Sequence, residues 1–206
     1  MFDAGDSYSW PRSPGHHRNG SNCTSDKGRF FKVHSRSNFL ILTAARTAEV
    51  IGASFDEIDL ELGVWTVPPQ RMKMKRPHRV PLSAAAIAIL REQLSVRQDG
   101  QHYVFPGRLP HQPLSPMALA MAMRRLAGEY TVHGFRSAFR DWAGDQTSFP
   151  REVAEAALAH AVGDETERAY RRGDALDKRL ALMEAWADFL EGTESNVIPI
   201  SRRVTG

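Results

Sequence analysis

Cysteine is nearly absent from this chain of 206 residues: there is one, Cys23, in a polar stretch. With no second thiol an intrachain disulfide is excluded, so the fold must rest on a packed core, and a reducing compartment suits it. Long apolar runs are also missing. None approaches the roughly 20 residues that a membrane-spanning helix needs, and the N-terminal MFDAGDSYSW lacks the basic-then-apolar order of a secretory signal. The expectation is a soluble, cytoplasmic protein with no membrane partner. Metal-ligand spacing is lacking too. Of eight histidines, His16 and His17 sit in a polar lead, and no His-x-x-x-His pair or Asp-rich cluster occurs, so no metal site is expected. No internal repeat or heptad array is visible, which sets aside solenoids and coiled coils.

Acidic residues are missing from one place where their absence matters. From Arg71 to Arg79 the chain reads RMKMKRPHR, with Arg71, Lys73, Lys75, Arg76 and Arg79 and no counter-charge. The formal net charge is only +3, and the isoelectric point is about 9.2. The local concentration of charge is thus more informative than the total. Such a run fits contact with a polyanion, and it equally fits the solvated tip of a hairpin.

What is present describes an ordinary globular chain, 42% hydrophobic and 25% charged, consistent with one domain and an appended segment. Residues 1–36 are rich in Ser, Gly, Asn, His and Arg, with Pro11 and Pro14, and read as a disordered lead. From Ser37 apolar residues recur at helical intervals (Phe39, Leu40, Leu42, Val50, Ile51) until Gly52, predicting a helix over about 37–51. Three β-prone pieces follow, Phe55–Asp59, Val64–Val67 and His78–Leu82, with the basic run as the connection between the last two. Ser83 can cap a helix to about Val96, a brief YVF strand precedes Pro106-Gly107, and Ser115 can cap a helix whose first position is Pro116. Further helices are expected over about 133–146, 150–159, a short one ending near Tyr170, and 174–191, before a tail from 192 to 206. The fold class is therefore mostly α (α+β), with a small three-stranded antiparallel sheet, the folded domain running over 37–191.

Four separated stretches carry the chemistry. In TVHGFRSAFRDWA, His133 and Arg136 are three apart, so both project from one face of a helix's first turn, where backbone donors and the dipole already favour an anion. A guanidinium there is a bidentate phosphate clamp and the histidine a further donor. In LTAARTAEVIG, Arg46 stands late in an apolar helix. An arginine so placed needs a counter-charge, which a bound anion or Glu49, three residues on, can supply. The hairpin lysines are flexible proton donors. In LAHAVGDETERAYRRGD, Tyr170 lies among Arg168, Arg171 and Arg172. Such a phenol ordinarily reads as an amphipathic side chain with a hydrogen-bonded tip. The alternative is a nucleophile whose target is set by positive charge.

Taken together, ARTAE, RMKMKRPHRVPLS, VFPG, TVHGFRSAFRDWA and LAHAVGDETERAYRRGD resemble, in order and interval, the catalytic domain of tyrosine recombinases, most closely prophage-type bacterial integrases. The resemblance runs from about Phe39 to Leu190. It implies Arg46 and Arg136 as the phosphate-clamping arginines, His133 beside the second, Lys73 as the hairpin lysine with Lys75 close enough to be confused with it, and His160 as the second histidine. Glu49 becomes the support of the first arginine and Tyr170 the nucleophile. Arg71, Lys75, Arg76 and Arg79 are expected DNA contacts. The implied activity is cleavage and rejoining of double-stranded DNA through a 3′-phosphotyrosyl link, with no metal or nucleotide cofactor. The implied assembly is a homo-tetramer on DNA, nucleoid-associated in a bacterial cytoplasm and helped by accessory DNA-bending proteins. Integrases of this kind carry DNA-binding domains ahead of the catalytic one, and only about 36 residues precede it here, so a truncated remnant is expected. The alternatives are a DNA-binding remnant without catalysis and a strand transferase similar to type IB topoisomerases.

Overall fold

A computed structural model describes residues 35–127, 131–160 and 175–192. The lead over 1–34, the short helix expected to end near Tyr170, Tyr170 itself and the tail beyond Gly192 lie outside the described residues. Helix α1 spans 35–43 and is buried on nearly every side, as expected for a helix apolar around most of its circumference.

The continuous helix expected over 37–51 is two helices. Ala44 takes a left-handed φ of 47°, Arg46 is extended, and α2 restarts at Thr47–Ile51. The restart has a local cause. Glu49 stands three residues after Arg46 and accepts both the Arg46 backbone N–H at 2.8 Å and its Nη1 at 2.8 Å, so the carboxylate caps a new helix. Arg46 is therefore at the mouth of a helix, not late within one.

The sheet has the expected form. Strands β1 (Ile58–Asp59), β2 (Val64–Val67) and β3 (His78–Pro81) pair antiparallel in sequence order. Trp65 faces Val80 and Val67 faces His78 across the β2–β3 ladder, which buries Trp65, Val67 and Val80 on the core side. The connecting loop carries the basic run. Met72 anchors it in the core, while Lys73, Lys75 and Arg76 are exposed.

Helix α3 (Ala84–Ser95) starts at Ser83, whose side chain accepts from the Ala86 N–H. The segment after it forms single bridges, Ser54 to Tyr103 and Pro106 to Pro113, in place of the expected YVF strand. Prolines without an N–H cannot extend such a bridge into a ladder. Gly107 passes so close to Pro113 that a Cβ would meet its carbonyl oxygen at 2.6 Å. Helices α4 (Pro116–Ala127), α5 (Val132–Asp145), α6 (Arg151–Ala157) and α7 (Leu176–Glu191) complete the described fold. Helix α6 packs against α5 and α7, and α7 packs against β3. Two aromatic groups pack in the interior: Phe39 with Trp65 and Phe105, at 5.4 and 5.5 Å between centroids, and Phe139, Trp142 and Trp186 between α5 and α7, with the exposed Phe189 stacked on their outer side.

Candidate active site

The break after α1 leaves carbonyls that no helix uses. Arg136, on α5 and almost fully buried, donates Nη1 to the Ala44 carbonyl and Nη2 to the Leu158 carbonyl, the latter at 2.8 Å. One guanidinium thus fastens the end of α1 to the end of α6, residues far apart in the chain. Buried carbonyls need such donors. Burial holds the Arg136 pKa down to about 10, the neighbouring positive Arg46 pushes the same way and Glu49 opposes them. Arg136 and Arg46 are therefore close enough to feel each other's charge, with the buried Glu49 carboxylate behind Arg46. The Arg46 side chain remains 35% exposed.

His160 closes the group. Its Nε2 lies 3.4 Å from Arg136 Nη2, and its Nδ1 lies 2.6 Å from Glu155 Oε2. Ala159, at φ 51°, turns the chain out of α6 so that the His160 ring comes back over that helix's last turn. A left-handed alanine costs roughly 1–2 kcal/mol. It is held by the His160 N–H, which reaches the Glu155 carbonyl at 2.9 Å.

The structure thus brings Arg46, Glu49, Arg136 and His160 together. His133 is exposed on the first turn of α5, one turn before Arg136, and Thr131 caps that turn by accepting from the Gly134 N–H at 3.1 Å. Lys73 is exposed on the hairpin loop directly after the anchored Met72, and Lys75 occupies a left-handed turn at φ 52°. Arg76 and Arg79 are exposed, and the Arg79 carbonyl accepts from the buried Arg179. Arg71 is turned inward. Its guanidinium pairs with Glu57 and donates to the Glu49 carbonyl at 3.1 Å, while Glu57 also accepts from Trp65 Nε1 at 3.0 Å.

Three further residues belong to the site without having been singled out in the sequence. Glu155 holds His160. Arg140 donates Nε to Glu155 at 2.8 Å. His78, at the start of β3, stands 3.3 Å from the Ala157 carbonyl through Nε2. Burial pushes the His78 pKa down to about 4, Arg179 and Arg46 push the same way, and Glu49 and the carbonyl bond only partly offset this. It is consequently a neutral N–H donor at pH 7, tying the base of the hairpin to α6. The sequence signals were a glutamate five residues before His160 and a histidine at the first position of a strand, and neither has meaning until the chain is folded. Among the described residues no helix is long and apolar enough to cross a membrane, and no three metal-binding side chains cluster.

The arrangement sets two guanidiniums and an imidazole near one another, groups of the kind that bind a phosphate. Prophage integrase IntA of Escherichia coli (strain K12) is 40% identical over 164 residues, covering 78% of this chain and 39% of that protein. Prophage integrase IntZ of the same organism is 34% identical over 162 residues, with 78% and 40% covered. The chain therefore spans about two fifths of the length of these relatives. Among solved structures, the integrase of mycobacterium phage Brujita superposes with a TM-score of 0.57 at 16% identity, covering 86% of this chain and 61% of that one. XerA recombinase does so with a TM-score of 0.53 at 15% identity, covering 82% and 64%. Both share the fold. The sequence profile of the phage integrase family matches residues 28–176, and the chain belongs to that family.

Proposed function

We propose that this chain cleaves and rejoins double-stranded DNA by tyrosine chemistry, as a site-specific recombinase. The observation that carries the reading is the meeting of Arg46, Arg136 and His160 from three separate segments, with Arg46 partly exposed. The scissile phosphate lies between the two guanidiniums, which stabilise charge building on its nonbridging oxygens, and His160 donates to the same group. The Tyr170 hydroxyl attacks phosphorus, passing its proton toward His133. The bond from phosphorus to the 5′ oxygen breaks, and Lys73 protonates that oxygen as it leaves. The product is a 3′-phosphotyrosyl link and a free 5′ hydroxyl. Attack by a 5′ hydroxyl from another duplex reverses these steps and reseals the strand. Glu49 keeps Arg46 in place, and Lys75, Arg76 and Arg79 contact the DNA backbone. Assembly of several copies on DNA, with DNA-bending helpers, fits an exchange between duplexes.

The test is a nicked suicide substrate, from which the cleaved end diffuses away and the covalent adduct accumulates. The wild-type chain is expected to give an adduct that survives denaturation, equally in excess EDTA, and Tyr170→Phe is expected to give none. An adduct persisting in Tyr170→Phe overturns the nucleophile assignment. Dependence on a divalent ion overturns the metal-free mechanism.

A further inference from the structure

Glu155 is held on every side by charge and hydrogen bonding. Its Oε1 accepts from Arg140 Nε of α5 at 2.8 Å and lies 3.7 Å from Arg151 Nε of its own helix. Its Oε2 meets His160 Nδ1 at 2.6 Å. The side chain is only 13% exposed. Burial alone would raise its pKa, but the bonds from Arg140 and His160 outweigh burial and keep the carboxyl below its ordinary range. An ionised carboxylate only accepts, so the nitrogen facing it must carry the proton. The same residue grips His160 twice, at the ring through its carboxylate and at the backbone through its carbonyl. The ring is then left with one free edge, Nε2, and that edge faces Arg136 Nη2 at 3.4 Å.

We infer that Glu155, braced by Arg140, is a positioning residue that fixes the orientation and the Nδ1-protonated form of His160, so that Nε2 is aimed at the phosphate position beside Arg136. This rests on the phosphoryl-transfer reading above. With no anion present, Nε2 accepts from Arg136. When a phosphate is bound, Nε2 is the ring nitrogen left to make the hydrogen bond to its oxygen. The charged groups around the ring are Glu155 and Arg151 on α6 and Arg136 and Arg140 on α5. Outer carboxylates that orient metal-bound histidines are worth about 10- to 100-fold in function when removed, and a loss of that order is expected here.

Two readouts on the full chain separate this inference from the reading it rests on. The first is the 15N spectrum of the imidazoles, with His160 assigned by comparison with His160→Gln. The wild type is expected to show His160 protonated at Nδ1, and Glu155→Ala to shift the proton to Nε2. The second is single-turnover cleavage of the suicide substrate. Glu155→Ala is expected to cleave about 10- to 100-fold more slowly with DNA binding unchanged, and to add little to the loss already caused by His160→Ala. Glu155→Gln keeps the volume and an acceptor if the alanine variant fails to fold, and is expected to retain the ring orientation but cleave more slowly. An unchanged imidazole pattern in Glu155→Ala, or wild-type cleavage by either variant, overturns the inference and leaves the recombinase reading standing. If the wild type itself forms no adduct, the recombinase reading falls, and the spectra still decide the role of Glu155.

Discussion

Single residues carry two burdens at this site, and Arg136 shows both. It is the donor that two buried carbonyls depend on, and it is the charge that an incoming phosphate would meet. Arg136→Lys keeps the charge but cannot reach Ala44 and Leu158 at once with a planar fork. Urea unfolding should show a loss of about 1–3 kcal/mol for each carbonyl left without a donor. No loss would mean that lysine or water replaces the fork. His78 gives a second prediction, with its sign set by linkage. Its pKa falls from 6.5 unfolded to about 4 folded, so between those values the unfolded chain holds more protons, and stability falls as pH drops through that window. By roughly pH 5 the wild type should have lost on the order of 2 kcal/mol relative to neutral pH, and His78→Gln should lose less by that amount, measured by urea midpoints at the two pH values. Arg46, Arg136 and His160, which the fold brings near one another, could be picked out as candidates in the sequence because their chemistry is carried by residue type and order. His78 and Glu155 could not be, because a histidine at a strand's first position and a glutamate in a helix become meaningful only when α6 is laid against β3 and α5.

At the level of elements, the caps and the hairpin were readable and the helix break was not. Ser83 and Pro116 sit at helix starts as side chain and ring dictate. Between Leu42 and Val50 the apolar spacing continues unbroken, and only the glutamate three residues after Arg46 marked a new helix start. The hairpin is positioned by more than its ladder. Arg71 reaches from its base to Glu57 and to the Glu49 carbonyl, and so links the lysine loop to the helix that begins at Arg46. Gly52 leaves the room this requires, since a Cβ there would meet Arg71 Nη1 at 2.5 Å and Cδ at 2.9 Å. Gly52→Ala should therefore cost about 1–3 kcal/mol by forcing the guanidinium aside. In an Arg71→Ala background the same change should cost little, and a double-mutant cycle by chemical denaturation reads the difference. Equal costs in both backgrounds would show that the glycine serves something other than Arg71.

The whole molecule explains why the site lies where it does. The aromatic cluster of Phe139, Trp142, Trp186 and Phe189 clamps α5 to α7, and Trp186 Nε1 donates to the Ile41 carbonyl at 2.9 Å, joining that cluster to α1. Full burial of each of Phe139, Trp142 and Trp186 is worth roughly 1.5–3 kcal/mol, so the core supplies much of what holds the layers that carry Arg46, Arg136 and His160, and the Arg136 fork adds to it. The central claim is that this scaffold directs one phenol onto a phosphate. Of the four tyrosines, the nucleophile can be identified by mass: after reaction with a suicide substrate, digestion with nuclease and trypsin should leave a nucleotide on the peptide Ala169–Arg171, which contains Tyr170. A nucleotide on a peptide carrying Tyr8, Tyr103 or Tyr130, or no linked peptide from a chain that binds the substrate, would contradict the account.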